Sequence, residues 1–323
     1  MEMPSSKKLV KKIGLKIKRT FIGLSVLLIT YFYKKFFFFK FRIIKFNYSA
    51  HKITFNLSMH CDKDGRRNIF MAREYFHERI YNDSAALYIG ESNSLFDVTL
   101  KELDTSLLLR SLTNFVRLED PRCFEVGGRF FAFCACICKS KTQGLLGYQT
   151  ASQILIEIYN CQISSYKLFK TKSEVEKNWV VYSYTESYVD FVYSISPFRL
   201  IRTSLSFDIS TEEIDPGCRP SFMYRNSTNY VTIQNTMYSV GHSTIDLGMN
   251  YVYVHFFIKL DHGQEVLISR PFIFKNFSNE FAMCIIERAD QEYAIMFSDH
   301  EIGNYAAVFR ASDLNDIKWF PLK

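Results

Sequence analysis

Glu119 and Asp120 stand side by side ahead of Pro121-Arg122, and a Gly127-Gly128 step then leads into the run Phe130–Cys136. Adjacent carboxyl groups suit proton transfer or the steadying of a developing positive centre. Proline lacks an N–H and disfavours the helical region for the residue before it, so Asp120 is expected in extended geometry on a stiff loop, at the mouth of a β-unit. A solvated turn with either acid paired to Arg122 would satisfy the same residues. Chemistry therefore requires other polar side chains to converge on the acid. Four stand out from their surroundings: Asn56 inside Phe55-Asn56-Leu57, Arg73 after Ile69-Phe70-Met71-Ala72, Lys177 beside Glu176, and His242 after Gly241. Each also has a plain structural use, as an edge position, a strand-end arginine, a surface charge pair and a turn cap respectively.

The elements that must position these residues read as strands. From about residue 50, short β-branched and aromatic runs alternate with polar turns, among them Ile53–Ser58, Arg129–Cys138, Gln153–Tyr159, Val189–Ser194, Tyr251–Leu260 and Tyr293–Phe297. This spacing predicts an all-β body, either sandwich or propeller. Phe96–Leu112 is the one stretch with helical spacing, through Phe96, Leu100, Leu103 and Leu107, and it reads as a helix or a long connection.

Asn56-Leu57-Ser58, Met71-Ala72-Arg73, Glu119-Asp120-Pro121-Arg122, Glu176-Lys177-Asn178-Trp179, Phe191-Val192-Tyr193-Ser194, Pro220 and Tyr238-Ser239-Val240-Gly241-His242 follow one another in an order that resembles glycoside hydrolase family 130. That family comprises β-mannoside phosphorylases, with related propeller mannosyltransferases. The resemblance spans about residues 50–320 and implies a five-bladed β-propeller. It further implies that Asp120 is the catalytic acid and that Asn56 and Arg73, flanked by Glu119 and Arg122, hold the sugar. Lys177, Arg219 and His242 would face a phosphate or nucleotide. The chain departs from the family pattern in three places: Asn56-Leu57-Ser58 replaces Asn-Pro-Ser, Gly217-Cys218-Arg219 replaces a Gly-Gly step before Pro220, and Ser298-Asp299-His300-Glu301 stands where a Tyr-Gly-x-x-Asp turn is expected.

Composition narrows the alternatives. With 323 residues, 48% of them hydrophobic, the chain can bury a full core. Its net charge of +7 is concentrated at one end, where residues 1–45 carry twelve Lys and Arg against the single acid Glu2. The remaining 46–323 hold 28 basic and 32 acidic residues, a net charge of −4, which removes the main support for a nucleic-acid partner. Seven of the basic residues lie between Lys7 and Arg19, followed by the apolar run Phe21–Tyr33, then Lys34-Lys35 and Phe36–Phe39. The chain thus divides into a 1–45 signal-anchor segment and a 46–323 propeller. The anchor helix would make a single-pass membrane protein with a luminal or extracytoplasmic body; a cleaved signal peptide and an interfacial helix are the alternatives. Cys134, Cys136 and Cys138 alternate along one strand and are expected on one face as buried small hydrophobes, with neither a disulfide nor a metal site. The sequons at Asn47, Asn56, Asn82, Asn226 and Asn276 are compatible with a lumen and discriminate weakly.

Glycosyl transfer needs a proton for the departing oxygen, and an inverting hydrolase needs a second carboxylate to activate water. Glu119, Glu176, Glu186 and Glu301 are candidates for that second role, with none singled out. The resulting expectation is a glycosyltransferase acting on mannose or a similar hexose, using a sugar nucleotide or phosphate as co-substrate and no other cofactor or metal. A glycoside phosphorylase and a non-catalytic glycan- or protein-binding propeller are the rivals, since fold alone does not fix function.

Overall fold

The computed structural model describes residues 39, 41–49, 54–61, 67–74, 86–93, 97–144, 147–221, 223–246, 251–261, 265–276, 278–288, 291–299 and 303–322. They form five antiparallel blades in chain order. Blade 1 contains Thr54–Cys61, Asn68–Glu74, Leu87–Ser92 and Lys101–Glu102. Blade 2 contains Phe115–Val126, Arg129–Gly144, Gly147–Tyr159 and Gln162–Lys170, with Ser210–Glu213 added in parallel at its outer edge. Blade 3 is Val180–Tyr184, Tyr188–Ile195 and Phe198–Ser204. Blade 4 pairs Arg225–Asn226 and Val231–Ile233 with Thr236–Asp246, then adds Tyr251–Asp261, Glu265–Ile268 and Phe320–Pro321. Blade 5 contains Phe281–Glu287, Glu292–Asp299 and Gly303–Arg310, and Arg42–Lys45 from the beginning of the chain closes it, with Arg42 opposite Val308. The first strands of blades 1, 2 and 5 pack on one another around the axis.

The strand Arg129–Gly144 shows why the alternation is so apolar. Phe131 and Phe133 turn toward Trp179, just ahead of blade 3, and Phe191 of blade 3, whereas Cys134 and Cys136 turn toward Met71 and Leu87 of blade 1. A blade squeezed between two others buries both faces, so neither face can be polar. The three cysteines share a face as expected: Cys134 and Cys136 are fully buried, and Cys138 is partly exposed with its Sγ 3.8 Å from that of Cys136.

One open reading is resolved and one expectation corrected. Of the two readings of Phe96–Leu112, a continuous helix does not hold over the described residues 97–112: Asp97–Thr99 and Lys101–Glu102 are short strands, and only Ser106–Ser111 is helical. Leu100 and Leu103 bury themselves against different clusters, which a continuous helix face could not do, and Leu108 is the buried helical residue. The division at 45/46 also cuts through the propeller, because Arg42–Lys45 is a blade strand. Phe39 and Phe41 pack on Phe257, Phe272 and Phe309. The anchor itself, residues 1–38, lies outside the described residues. No described helix is long and apolar enough to cross a membrane.

Candidate active site

Two bulges, one in each of two neighbouring first strands, aim the central pair. In Thr54–Cys61 the register with the next strand slips between Phe55 and Ser58, and Asn56 adopts φ 54°. In Phe115–Val126 it slips between Glu119 and Arg122, and Asp120 adopts φ 52°. Bulges re-aim a side chain at the cost of local pairing, and left-handed backbone is unusual for a residue with a Cβ. Pro121 is accommodated because it falls in a bulge of an edge strand, where no ladder N–H is demanded. The expected extended geometry of Asp120 is therefore corrected: the proline sits inside a strand, and its neighbour takes positive φ.

The outcome is a direct contact in which Asn56 Nδ2 donates to Asp120 Oδ1 over 2.7 Å, both residues being buried. Blade 5 holds the Asn56 bulge in place. The Asn56 N–H donates to Ser298 Oγ at 2.6 Å, and Ser298 Oγ donates to Asn304 Oδ1 at 2.7 Å. Asn304 Nδ2 in turn donates to the Thr54 carbonyl at 3.1 Å.

Next to Asp120, Glu119 is shared by three cations. Arg117 Nε and Arg73 Nη1 reach its Oε1 at 2.8 and 2.9 Å, and Lys177 Nζ reaches Oε2. Burial alone would push this carboxyl up, but the charges of Arg73, Lys177 and Arg117 overcome it and hold the group well below the usual carboxylate range. The cluster of three cations and one anion leaves a net positive charge beside Asp120.

These groups form one wall of a cavity of about 240 Å³: Asn56, Arg73, Glu119, Asp120 and Lys177. The rest of the lining comes from blades 4 and 5 and comprises Tyr253, Asn279, Phe281, Ser298 and Asp299. The Oδ1 atoms of Asn56 and Asn279 are buried without a hydrogen-bond partner among the described residues. Buried acceptors of that kind are costly unless a ligand's hydroxyl or amine meets them. The Tyr253 phenol is pushed up by burial and then by the charge of Asp120, so it stays a neutral donor. Asp299 accepts from Lys275 Nζ, Asn276 Nδ2 and Ser278 Oγ at 3.1–3.3 Å. Glu280 accepts the N–H groups of Phe274, Lys275 and Asn276, fixing the loop that carries those donors. Among the described residues, no cluster of His, Cys, Asp and Glu is arranged to hold a metal ion.

Of the residues expected from sequence, Asn56, Arg73, Glu119, Asp120 and Lys177 converge on the cavity, and three do not. Arg122 is 2% exposed and lies behind Asp120. His242 is also buried; its Nδ1 is 2.7 Å from Ser227 Oγ, and its ring packs on Tyr253 and Phe281 behind the cavity wall. Burial, followed by the charges nearby, lowers its pKa well below the ordinary value, so it is neutral. Gly241 beside it is required by crowding, since a Cβ there would lie 2.6 Å from Phe256 and 2.7 Å from the Arg225 carbonyl. Arg219 is exposed and lines no part of the cavity. Glu176 binds Thr171, Trp179 and Tyr193 away from it. Nothing in the sequence singles out Tyr253, Asn279 or Phe281, and Ser298-Asp299 stands out only as a departure from the family pattern.

The fold and this cavity define a five-bladed β-propeller with a charged site on its axis. No protein-family model and no curated protein matches the chain. Solved structures do match. A GDP-Man-dependent mannosyltransferase from Leishmania mexicana superposes with a TM-score of 0.56 at 10% identity over 86% of this chain and 92% of its own. A mannose phosphorylase from Leishmania mexicana, in complex with phosphate ion, gives 0.52 at 11% identity over 86% and 91%. A structure from the GH130 family, whose hydrolases target β-1,2 mannosidic linkages in Candida mannan, gives 0.51 at 7% identity over 80% and 84%. These are the enzymes that the ordered motifs resemble, and at such identities the likeness shows the shared propeller fold.

Proposed function

We propose that the protein is a mannose-processing enzyme in which Asp120 handles the proton of the glycosidic oxygen. The observation that carries this reading is the Asn56–Asp120 contact in the axial cavity, delivered by two independent bulges beside a net-positive cluster. Neighbours of the same fold transfer mannose from GDP-Man or act on mannose with phosphate bound. A cavity of about 240 Å³ falls below the ~300–1,000 Å³ of sites for drug-sized ligands, which suits one sugar ring with the rest of a donor outside. Asn56 orients that ring, and Asp120 donates to or accepts from the oxygen at the bond that breaks or forms. Arg73 and Lys177 lie where they can neutralise a phosphate carried by the donor, Lys177 as a point charge and Arg73 through its planar fork.

Glycosyl transfer from a sugar nucleotide is the preferred form, and phosphorolysis is the second reading because the same cations suit inorganic phosphate. Incubating the full-length chain with GDP-mannose and with mannose 1-phosphate, each with a panel of sugar acceptors, separates the two. New glycoside from the first supports transfer, and from the second supports reverse phosphorolysis. Absence of product from both would overturn the reading. The basic and apolar residues 1–38 are proposed as a single-pass membrane anchor with the propeller on the luminal side. Release of the full-length protein by carbonate extraction would refute that.

A further inference from the structure

Arg122 stands in the signature that suggested a substrate contact, yet it is buried and reaches two peptide carbonyls. Its Nη1 donates to the carbonyl of Asp120 at 3.1 Å, and its Nε donates to the carbonyl of Ser227 at 3.0 Å, across the axis on blade 4. Ser227 is itself fixed by its hydroxyl against His242 Nδ1 and by its N–H, which donates to the Val240 carbonyl at 3.0 Å. A line of polar contacts therefore runs from His242 through Ser227 and Arg122 to the peptide of Asp120, where the chain holds φ 52°.

We infer that Arg122 is a positioning residue, a cross-axis strut that holds the left-handed Asp120 peptide so that the carboxylate meets Asn56 and the cavity. Stability is a poor explanation for this arginine. It is a wholly buried cation whose direct acceptors are two neutral carbonyls, and its Nη2 has no hydrogen-bond partner among the described residues. Taking such a charge out of water is expensive, and an apolar side chain of similar length often serves a fold as well. A strained residue persists only when its surroundings over-determine it. Here the strut supplies that constraint from the far side of the propeller.

The inference rests on the proposed role of Asp120, and its test separates the two. In the full-length protein, Arg122→Met is expected to lower kcat about 10- to 100-fold, the scale of a displacement of about 1 Å at a reacting group, with KM little changed. Arg122→Lys keeps the charge but cannot span both carbonyls, and is expected to recover part of the loss. In an Asp120→Asn background Arg122→Met should cost nothing more, because the two residues act as one unit. Equal losses in both backgrounds, or a raised KM at constant kcat, would overturn the inference. A crystal structure of the Arg122→Met variant decides the matter without activity: Asp120 is expected out of contact with Asn56, and an unmoved Asp120 refutes the strut. Inactive wild type with a displaced Asp120 in the variant would leave positioning intact and remove only the catalytic reading.

Discussion

Blades 1 and 2, with the segment leading into blade 3, present five polar side chains to the cavity, four of them charged. Blades 4 and 5 present two aromatic rings, an amide, a hydroxyl and one carboxylate, Asp299, already engaged by Lys275, Asn276 and Ser278. The charged wall is built by bulges, which place Asn56 and Asp120 by breaking strand register. In the other wall, Tyr253 lies within a strand whose pairing with Thr236–Asp246 is unshifted along its length, and Phe281 opens the strand Phe281–Glu287, whose register slips only after it, between Ala282 and Cys284. One side of the lining is therefore charged and the other is mostly neutral, apart from Asp299.

The same difference determines what could be read from sequence. Asn56, Arg73 and Asp120 interrupt apolar alternation or flank a proline, so each is conspicuous on one line of text, whereas Lys177, beside Glu176 in a polar stretch, stands out only through the order of the motifs. Tyr253 falls in the alternation Tyr251-Val252-Tyr253-Val254 and is indistinguishable there from a half-buried strand residue. Arg122 and His242 fail for the opposite reason. Their types advertise chemistry, but whether a strand side chain faces the axis or a neighbouring blade depends on register, and both lie behind the wall. The all-β body was legible because alternation is local. The closing strand Arg42–Lys45 was not, because its partner lies at the other end of the chain and its basic, apolar composition continues that of residues 1–38.

The strongest way to break the comparison is to remove support from the blade 5 side. Deleting residues 1–45 takes Phe39, Phe41 and Ile43 from the cluster between blades 4 and 5, and Ile44 from the one between blades 5 and 1. At about 1.5–3 kcal/mol for each fully buried apolar side chain, half that value for these partly buried ones approaches the stability of a domain. The expected outcome is an aggregating or partly unfolded body, whereas a chain beginning at Phe39 folds; circular dichroism and gel filtration compare them. Equal behaviour of the two truncations would show that blade 5 closes without its outer strand.

Within the charged wall, Asp120→Asn preserves shape and the contact with Asn56 while removing the titratable proton. Turnover should fall about 10²- to 10⁴-fold with sugar binding retained. Undiminished turnover would move the chemistry to another group, and Asp299 on the other wall would be the next to test.

Glu119→Gln probes the electrostatics of the same wall. It removes the anion shared by Arg73, Arg117 and Lys177. Breaking a buried pair from one side costs about 3–5 kcal/mol, and the partial exposure of Arg73 and Lys177 places this case near the lower figure. Because the Glu119 carboxyl is held low in the fold, its contribution is present above the ordinary carboxylate pKa of 4.5 and is lost as pH falls below it. Wild type and variant should therefore converge in stability toward acid, as read by urea unfolding at a series of pH values. A gap that persists at low pH would mean the loss is one of packing.

Glu280, between Asn279 and Phe281 on the other wall, should show the reverse sign. Burial pushes its carboxyl up to about 7 against an ordinary 4.5, with the three backbone donors from Phe274, Asn276 and Lys275 opposing and the charge of Asp299 assisting. An acid raised in the fold gives its full stabilising contribution below 4.5 and loses it as pH climbs to about 7, because the unfolded chain releases its proton first. The displacement corresponds to about 3 kcal/mol at about 1.36 kcal/mol per pH unit. His242 and His255, both lowered by burial, tilt stability the other way below 6.5, but they are present in wild type and variant alike and cancel in the difference. Urea unfolding of Glu280→Gln alongside wild type should thus show wild type losing ground steadily between pH 4.5 and 7, the mirror image of Glu119→Gln. Parallel curves would mean that the three backbone donors keep Glu280 ionised at its ordinary pH, and the electrostatic contrast between the two walls would disappear.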